Sequence, residues 1–146
     1  MTSYETRSGS FSVSTARERL ELGLIHGFLA GSYWARGIPE EAVRRSIEHS
    51  LCFGLYDWDR QIGFARVISD YATFAYLADV FVLERYRGLG LFLVRSVLAH
   101  PALQNLRRFS LVTRDAQGLY ERVGFRSLSE PGRHMERTLS DPYLPH

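Results

Sequence analysis

The stretch Asp79–Leu98, DVFVLERYRGLGLFLVRSVL, decides how this chain is read. It opens as a β-branched and aromatic run, Asp79 to Leu83, and closes as an apolar run with helical spacing. Between them stand Arg85, Arg87, Gly88 and Gly90. Glycine weakens a helix, so two glycines where a helix begins mark either a plain turn or a place where something approaches the backbone. Unpaired N–H groups at a helix start point outward, and glycines let phosphate oxygens reach them. Strand, glycine loop and helix together outline a backbone anion site. A Walker A loop is excluded, because it needs a lysine and the chain has none. The dinucleotide fingerprint is excluded as well, because Leu93 holds its third glycine position.

Around this centre the chain alternates helical and strand patterns. Helix signals run from a cap at Ser14 or Thr15 through Leu20, Leu24, Ile25, Phe28 and Leu29. A second helix follows Pro39, with Glu40 and Glu41 in its first turn and Val43 and Ile47 inward. Two strands flank a turn at Asp57–Arg60, and a third runs through TFAYLADVFVL. The helix after the glycines stops at Pro101. RFSLVT is a further strand, and DAQGLYERVGF a short helix capped by Asp115 and ended by Gly124. A last strand pair is expected at Phe125–Leu128 and Met135–Leu139, and a first strand near Tyr4–Arg7. This order predicts an α/β fold: a central mixed, mostly antiparallel sheet flanked by helices, in a single domain over residues 1–146.

Composition narrows the partners. All 18 basic residues are arginine, and the formal net charge is only +2. The arginines are too evenly spread to form a nucleic-acid surface. No apolar run reaches membrane-spanning length, and the N-terminus lacks the order of a signal peptide. The lone cysteine, Cys52, allows no intrachain disulfide and fits a cytoplasmic setting and a place in the core. The five histidines show no metal-ligand spacing, so no metal is expected. No nucleic-acid or membrane partner is expected, and a homodimer stays open.

The glycine loop resembles motif A of the GCN5-related N-acetyltransferases (GNAT), Arg/Gln-x-x-Gly-x-Gly/Ala after a strand. Two registers fit. Arg85 to Gly90 matches all three fixed positions. Arg87 to Phe92 matches two, but it keeps the family's distance from Val82 and the YRG context, and it is the register adopted. Its cost is a bulky Phe92 where the family has a small residue. DAQGLYERVGF resembles the family's second signature, with Leu119, Tyr120, Gly124 and Phe125 at its positions. The two signatures and the strand between them cover roughly residues 50–127.

The resemblance implies an acetyl-CoA-dependent N-acetyltransferase, an acyltransferase with acetyl-CoA as co-substrate and a small-molecule or peptide amine as acceptor. It implies that the backbone of Phe81 and Val82 meets the thioester. Arg87, Gly88, Leu89, Gly90, Leu91, Phe92 and Leu93 would hold the pyrophosphate, and Tyr120 would protonate the departing thiolate. Asp79 is the candidate base, since an acid in a buried-looking strand is unusual. Equally, it could accept backbone or arginine hydrogen bonds. His26 is a weaker candidate, because a lone helical histidine is more often structural. Tyr33 and Trp34 either line the acceptor pocket, where ring faces attract a cation, or plug the space between the first two helices. The alternative is a degenerate relative that binds acetyl-CoA or a protein partner without turnover, suggested by Phe92 and by Ala78, where relatives carry an acid.

Overall fold

Alternation of apolar residues builds one six-stranded sheet, in sequence order β1 to β6, in a computed structural model that describes residues 3–143. The strands are β1 (Glu5–Ser8), β2 (Phe11–Ser14), β3 (Leu51–Asp57), β4 (Arg60–Ser69), β5 (Phe74–Val82) and β6 (Arg108–Leu111). Neighbours from β1 to β5 are antiparallel, and β5 and β6 are parallel. The helices are α1 (Leu22–Ala30), α2 (Glu40–Glu48), α3 (Gly90–Leu98) and α4 (Gln117–Glu121). This is the α/β architecture expected from the sequence.

Both faces of the sheet are covered, so its central strands are apolar on both sides. Phe53, Leu55, Ala65 and Val67 pack with Leu93, Val94 and Val97 of α3 and with Tyr120 of α4. Cys52, Phe64 and Phe81 pack on the other face with Ile25 and Leu29 of α1 and Val43 of α2. Cys52 is therefore a core residue. Burial pushes its thiol up to about 12, far from the thiolate a nucleophile needs.

Three expectations are corrected. The first helix does not begin at Ser14 or Thr15. Ser14 ends β2, a short 3₁₀ turn occupies Arg17–Arg19, and α1 starts at Leu22. The two hydroxyls serve the sheet edge instead: Ser14 Oγ accepts from the Ala16 amide, and Thr15 Oγ1 accepts from the Tyr4 amide. Asp115 does not cap α4. Ala116 is the capping residue, and Thr113 Oγ1 accepts from its amide at 3.0 Å, while Asp115 is exposed. Gly124 does close this segment, with a left-handed φ of +98°. Finally, Phe125–Leu128 and Met135–Leu139 are not strands. Among the described residues neither segment has a strand to pair with, and residues 126–143 are all exposed.

Candidate active site

The site begins as a fault in the sheet. β6 pairs with β5 only from Phe74↔Arg108 to Leu77↔Leu111, so Ala78–Val82 run on beyond their parallel neighbour. On the other side, β5 stays laddered to β4 as far as Gly63↔Val82. The Leu83 amide donates to the Ile62 carbonyl at 2.8 Å. Antiparallel ladders alternate, so the Val82 N–H and C=O point away from β4, towards the side that β6 has left. A backbone donor and acceptor therefore face the cleft between the diverging strands.

A bulge accompanies the fault. The β4–β5 register shifts between Phe64 and Arg66, leaving Asp79 and Val80 opposite Ala65. Asp79 sits there at φ +55°, a left-handed conformation that Asp tolerates better than most residues. Its side chain is fully engaged. Oδ2 accepts from Arg66 Nε at 2.9 Å, and Oδ1 accepts from the Trp34 indole at 2.9 Å. Arg66 also donates to Ser50 Oγ at 3.1 Å. With side chains only 15% and 12% exposed, Arg66 and Asp79 form a largely desolvated pair. This geometry matches the arginine-bonded alternative for Asp79, both of whose carboxylate oxygens already accept a hydrogen bond. His26 is also committed, its Nε2 bonding the Ile38 carbonyl at 2.9 Å.

Below the fault, a 3₁₀ turn at Glu84–Leu89 leads into α3, which starts at Gly90 with no side-chain cap. Arg85 and Arg87 are both exposed. Gly90 has φ −58°, so its backbone does not require glycine. Nor does internal packing: a Cβ on Gly88 would meet nothing, and one on Gly90 only Leu119 Cδ2 at 3.5 Å. Glycine here leaves space outside the chain, which suits a ligand pressed against the backbone. Phe92 is half-buried and packs against the core, so its bulk turns away from that space. Helix geometry leaves the amides of Leu89 to Phe92 without intrahelical acceptors.

Across the cleft stands Tyr120, 8% exposed on α4. Burial raises its pKa above the ordinary tyrosine value, and nearby Tyr33 raises it further. Among the described residues no hydrogen bond engages its hydroxyl. Tyr120, Tyr33, Trp34, Asp79 and Arg66 line one cavity of about 680 Å³. Tyr33 and Trp34 pack edge to face at 5.1 Å, and the Arg114 guanidinium lies 3.8 Å above the Tyr33 ring. Both aromatics remain exposed, 49% and 42%, so they wall a cavity rather than plug a core. Phe81, by contrast, is buried and stacked on Phe28 at 4.0 Å, leaving only its backbone to the cleft.

The sequence reading missed Arg66, Arg114 and Tyr143, which also line this cavity. Arg66 was recoverable in principle, since the short hairpin between β4 and β5 brings it opposite Ala78. Arg114 and Tyr143 carry no local signal. Among the described residues no group of three His, Cys, Asp or Glu could hold a metal ion.

A diverging parallel pair over an uncapped, glycine-started helix, with a tyrosine facing the gap, defines a class of acyl-transfer protein. Residues 20–125 match the model of the Acetyltransferase (GNAT) family. A Gibberella zeae protein whose name proposes an acetyltransferase is 31% identical over 136 residues, covering 77% of this chain and 76% of that one. A Xanthomonas campestris structure, itself assigned to the GNAT family by proposal, is 53% identical with a TM-score of 0.87. It covers 91% of this chain and 96% of that one. A Clostridium acetobutylicum protein, described by prediction as an acetyltransferase and solved with acetyl-CoA, shares the fold at 11% identity and a TM-score of 0.61. The match covers 94% of this chain and 95% of that one. The chain belongs to the GNAT family of acetyltransferases.

Proposed function

We propose that this chain transfers an acetyl group from acetyl-CoA to an amine by direct attack. The observation that carries the reading is the Val82 backbone left unpaired beyond β6, above the uncapped start of α3, with open glycine Cβ positions beside it. The family's general reaction supports it, and so does the Clostridium relative solved with acetyl-CoA. When bound, acetyl-CoA supplies the acyl group as an activated thioester.

Each residue then has a defined task. The amides of Leu89 to Phe92 and the Arg87 side chain hold the pyrophosphate, as charge-assisted hydrogen bonds do at a helix start. The Val82 N–H donates to the acyl carbonyl oxygen, where negative charge develops as the amine attacks. Tyr120 gives its proton to the departing thiolate. Its raised pKa keeps it in the donor form at neutral pH. Tyr33 and Trp34 wall the acceptor side, and Asp79 acts as a positioning residue that fixes Trp34 and Arg66. The acceptor's own proton leaves to solvent in the open cleft. Binding without turnover loses one of its grounds, because Phe92 packs inward rather than over the loop.

The test combines calorimetric titration of acetyl-CoA with thiol-release assays over polyamines, amino acids and peptide N-termini. Binding with thiol release on at least one amine class is expected. No heat and no change in melting would end the acetyltransferase reading, whereas binding without release on any amine would establish the non-catalytic alternative.

A further inference from the structure

Four charged side chains line the cavity that holds Tyr33 and Tyr120: Arg66, Arg114, Asp79 and Asp115. Arg66 and Asp79 neutralise each other, and both Asp79 oxygens are already bonded. Asp115 comes no nearer to Arg114 than 3.8 Å, and both of these side chains are exposed. Among the described residues no hydrogen bond engages the Arg114 guanidinium, which lies 3.8 Å above the Tyr33 ring. A guanidinium this close over a ring is held through its face, which leaves its fork of edge N–H donors open. Such a fork matches a carboxylate in two parallel hydrogen bonds.

The rest of the cavity limits what accompanies that carboxylate. Arg114 stands on the segment that joins β6 to α4, the helix of Tyr120. Tyr33, which carries the guanidinium, is close enough to Tyr120 to raise the Tyr120 pKa. Arg114, Tyr33 and Tyr120 are thus consecutive neighbours, and the anion bound by Arg114 must lie near the reacting amine. Trp34, Ile38, Ala42, Tyr76 and Tyr143 supply an apolar and aromatic lining. The second ammonium of a polyamine would meet only Asp79, already bonded twice, and Asp115, beside Arg114. A volume of about 680 Å³ is that of a small-molecule site.

We propose that the acceptor is a free α-amino acid with a large apolar or aromatic side chain, its carboxylate held by Arg114 and its amine directed to the acyl carbon beside Tyr120. This inference rests on the proposed acetyl transfer. The amine nitrogen bonds the acyl carbon as the C–S bond breaks, its electron pair leaving with sulfur. Tyr120 protonates that sulfur. The ammonium gives two protons to solvent, and solvent returns one to Tyr120. The products are an N-acetylamino acid and CoA. Arg114 sets specificity here, because it binds the one group that separates an amino acid from a simple amine.

Thiol release at saturating acetyl-CoA, compared for phenylalanine, phenylalaninamide and glycine, tests this. Phenylalanine should exceed both others at least tenfold in kcat/KM. The amide's amine loses its proton more readily, so a slower amide does not reflect protonation. Arg114→Ala should raise the phenylalanine KM at least tenfold with little change in kcat, and bring phenylalanine level with its amide. Arg114→Lys should recover only part of the preference, since lysine keeps the charge and loses the fork. Calorimetry reads the same contact without turnover. With CoA present, N-acetylphenylalanine should bind at least tenfold more tightly than N-acetylphenylalaninamide, and Arg114→Ala should close that gap. Equal rates for phenylalanine and its amide, glycine as good as phenylalanine, or a preference indifferent to Arg114→Ala would each overturn the inference and leave acetyl transfer standing. A chain that binds no acetyl-CoA would instead overturn acetyl transfer, and this inference with it.

Discussion

Asp79→Asn separates the two roles open to this residue. Asn tolerates the left-handed φ of +55° at least as well as Asp, and its carbonyl can still accept from one donor. What disappears is the negative charge 2.9 Å from Arg66 Nε, in a pair only 15% and 12% exposed. Removing one partner of a fully buried pair costs about 3–5 kcal/mol. Here the Ser50 hydroxyl still accepts from Arg66 and some solvent reaches it, so the cost should be about 2 kcal/mol. In a domain of this size that lowers Tm by roughly 4–8 °C. Asp79→Ala should cost about 1–2 kcal/mol more, because it adds left-handed strain and leaves the Trp34 indole without an acceptor. Urea unfolding with a double-mutant cycle on Arg66→Gln should give a coupling of about 1 kcal/mol or more. In turnover, Asp79→Ala should raise the amine KM while kcat changes little, since Trp34 loses its anchor. Asp79→Asn melting within about 1 °C of wild type and losing over a hundredfold in kcat would refute this reasoning and make Asp79 the base.

Tyr120→Phe should lower kcat roughly ten- to a thousandfold while acetyl-CoA affinity and Tm hold. Because the Tyr120 pKa is raised, the protonated donor persists through neutral pH and is lost only as pH climbs past the ordinary tyrosine value. A kcat–pH profile should show its alkaline fall there, and the fall should vanish in Tyr120→Phe. Gly90→Val should raise the acetyl-CoA Kd at least tenfold by titration with little change in Tm, since the added Cβ meets only Leu119 inside the protein, at an ordinary contact distance. In parallel, Arg87→Ala should weaken binding more than Arg85→Ala. Tyr56→Phe should raise stability by about 1–2 kcal/mol in thermal unfolding, because the buried Tyr56 hydroxyl has no partner among the described residues.

Legibility followed the range of the forces involved. β5, the glycine loop and α3 were readable because alternation, glycine and helical spacing are local signals, and they coincide within Asp79–Leu98. The start of α1 was misread because Ser14 and Thr15 look like caps, while the Thr15 hydroxyl is spent on Tyr4 beside β1 and the Ser14 hydroxyl on the Ala16 amide just past β2. Asp115 was misread as the cap of α4 for a similar reason: Ala116 holds the cap position, and the hydroxyl that bonds its amide is that of Thr113. The role of Asp79 depended on Arg66, a neighbour only through the bulged ladder, which no single-strand pattern records. The last strand pair shows the reverse case. Alternation is present in part, but a strand exists only where it is paired, and among the described residues neither segment joins the sheet.

The cleft and its Trp34 wall are consequences of one irregularity. Without the extra residue at Asp79–Val80, β5 would continue flat, and nothing would turn its second half away from the line of β6. The same bulge aims the Asp79 carboxylate at Arg66 and Trp34, so the charge that fixes the Trp34 wall comes from the residue that opens the backbone. Leu83 then restores the ladder to β4, which leaves the Val82 donor rigid although it is unpaired on the cleft side. An unpaired amide costs stability unless water or a ligand satisfies it. A donor held at that cost on a stiff strand is preorganised, and that is the condition under which it can stabilise developing charge. The fold therefore keeps its defect where the chemistry needs one.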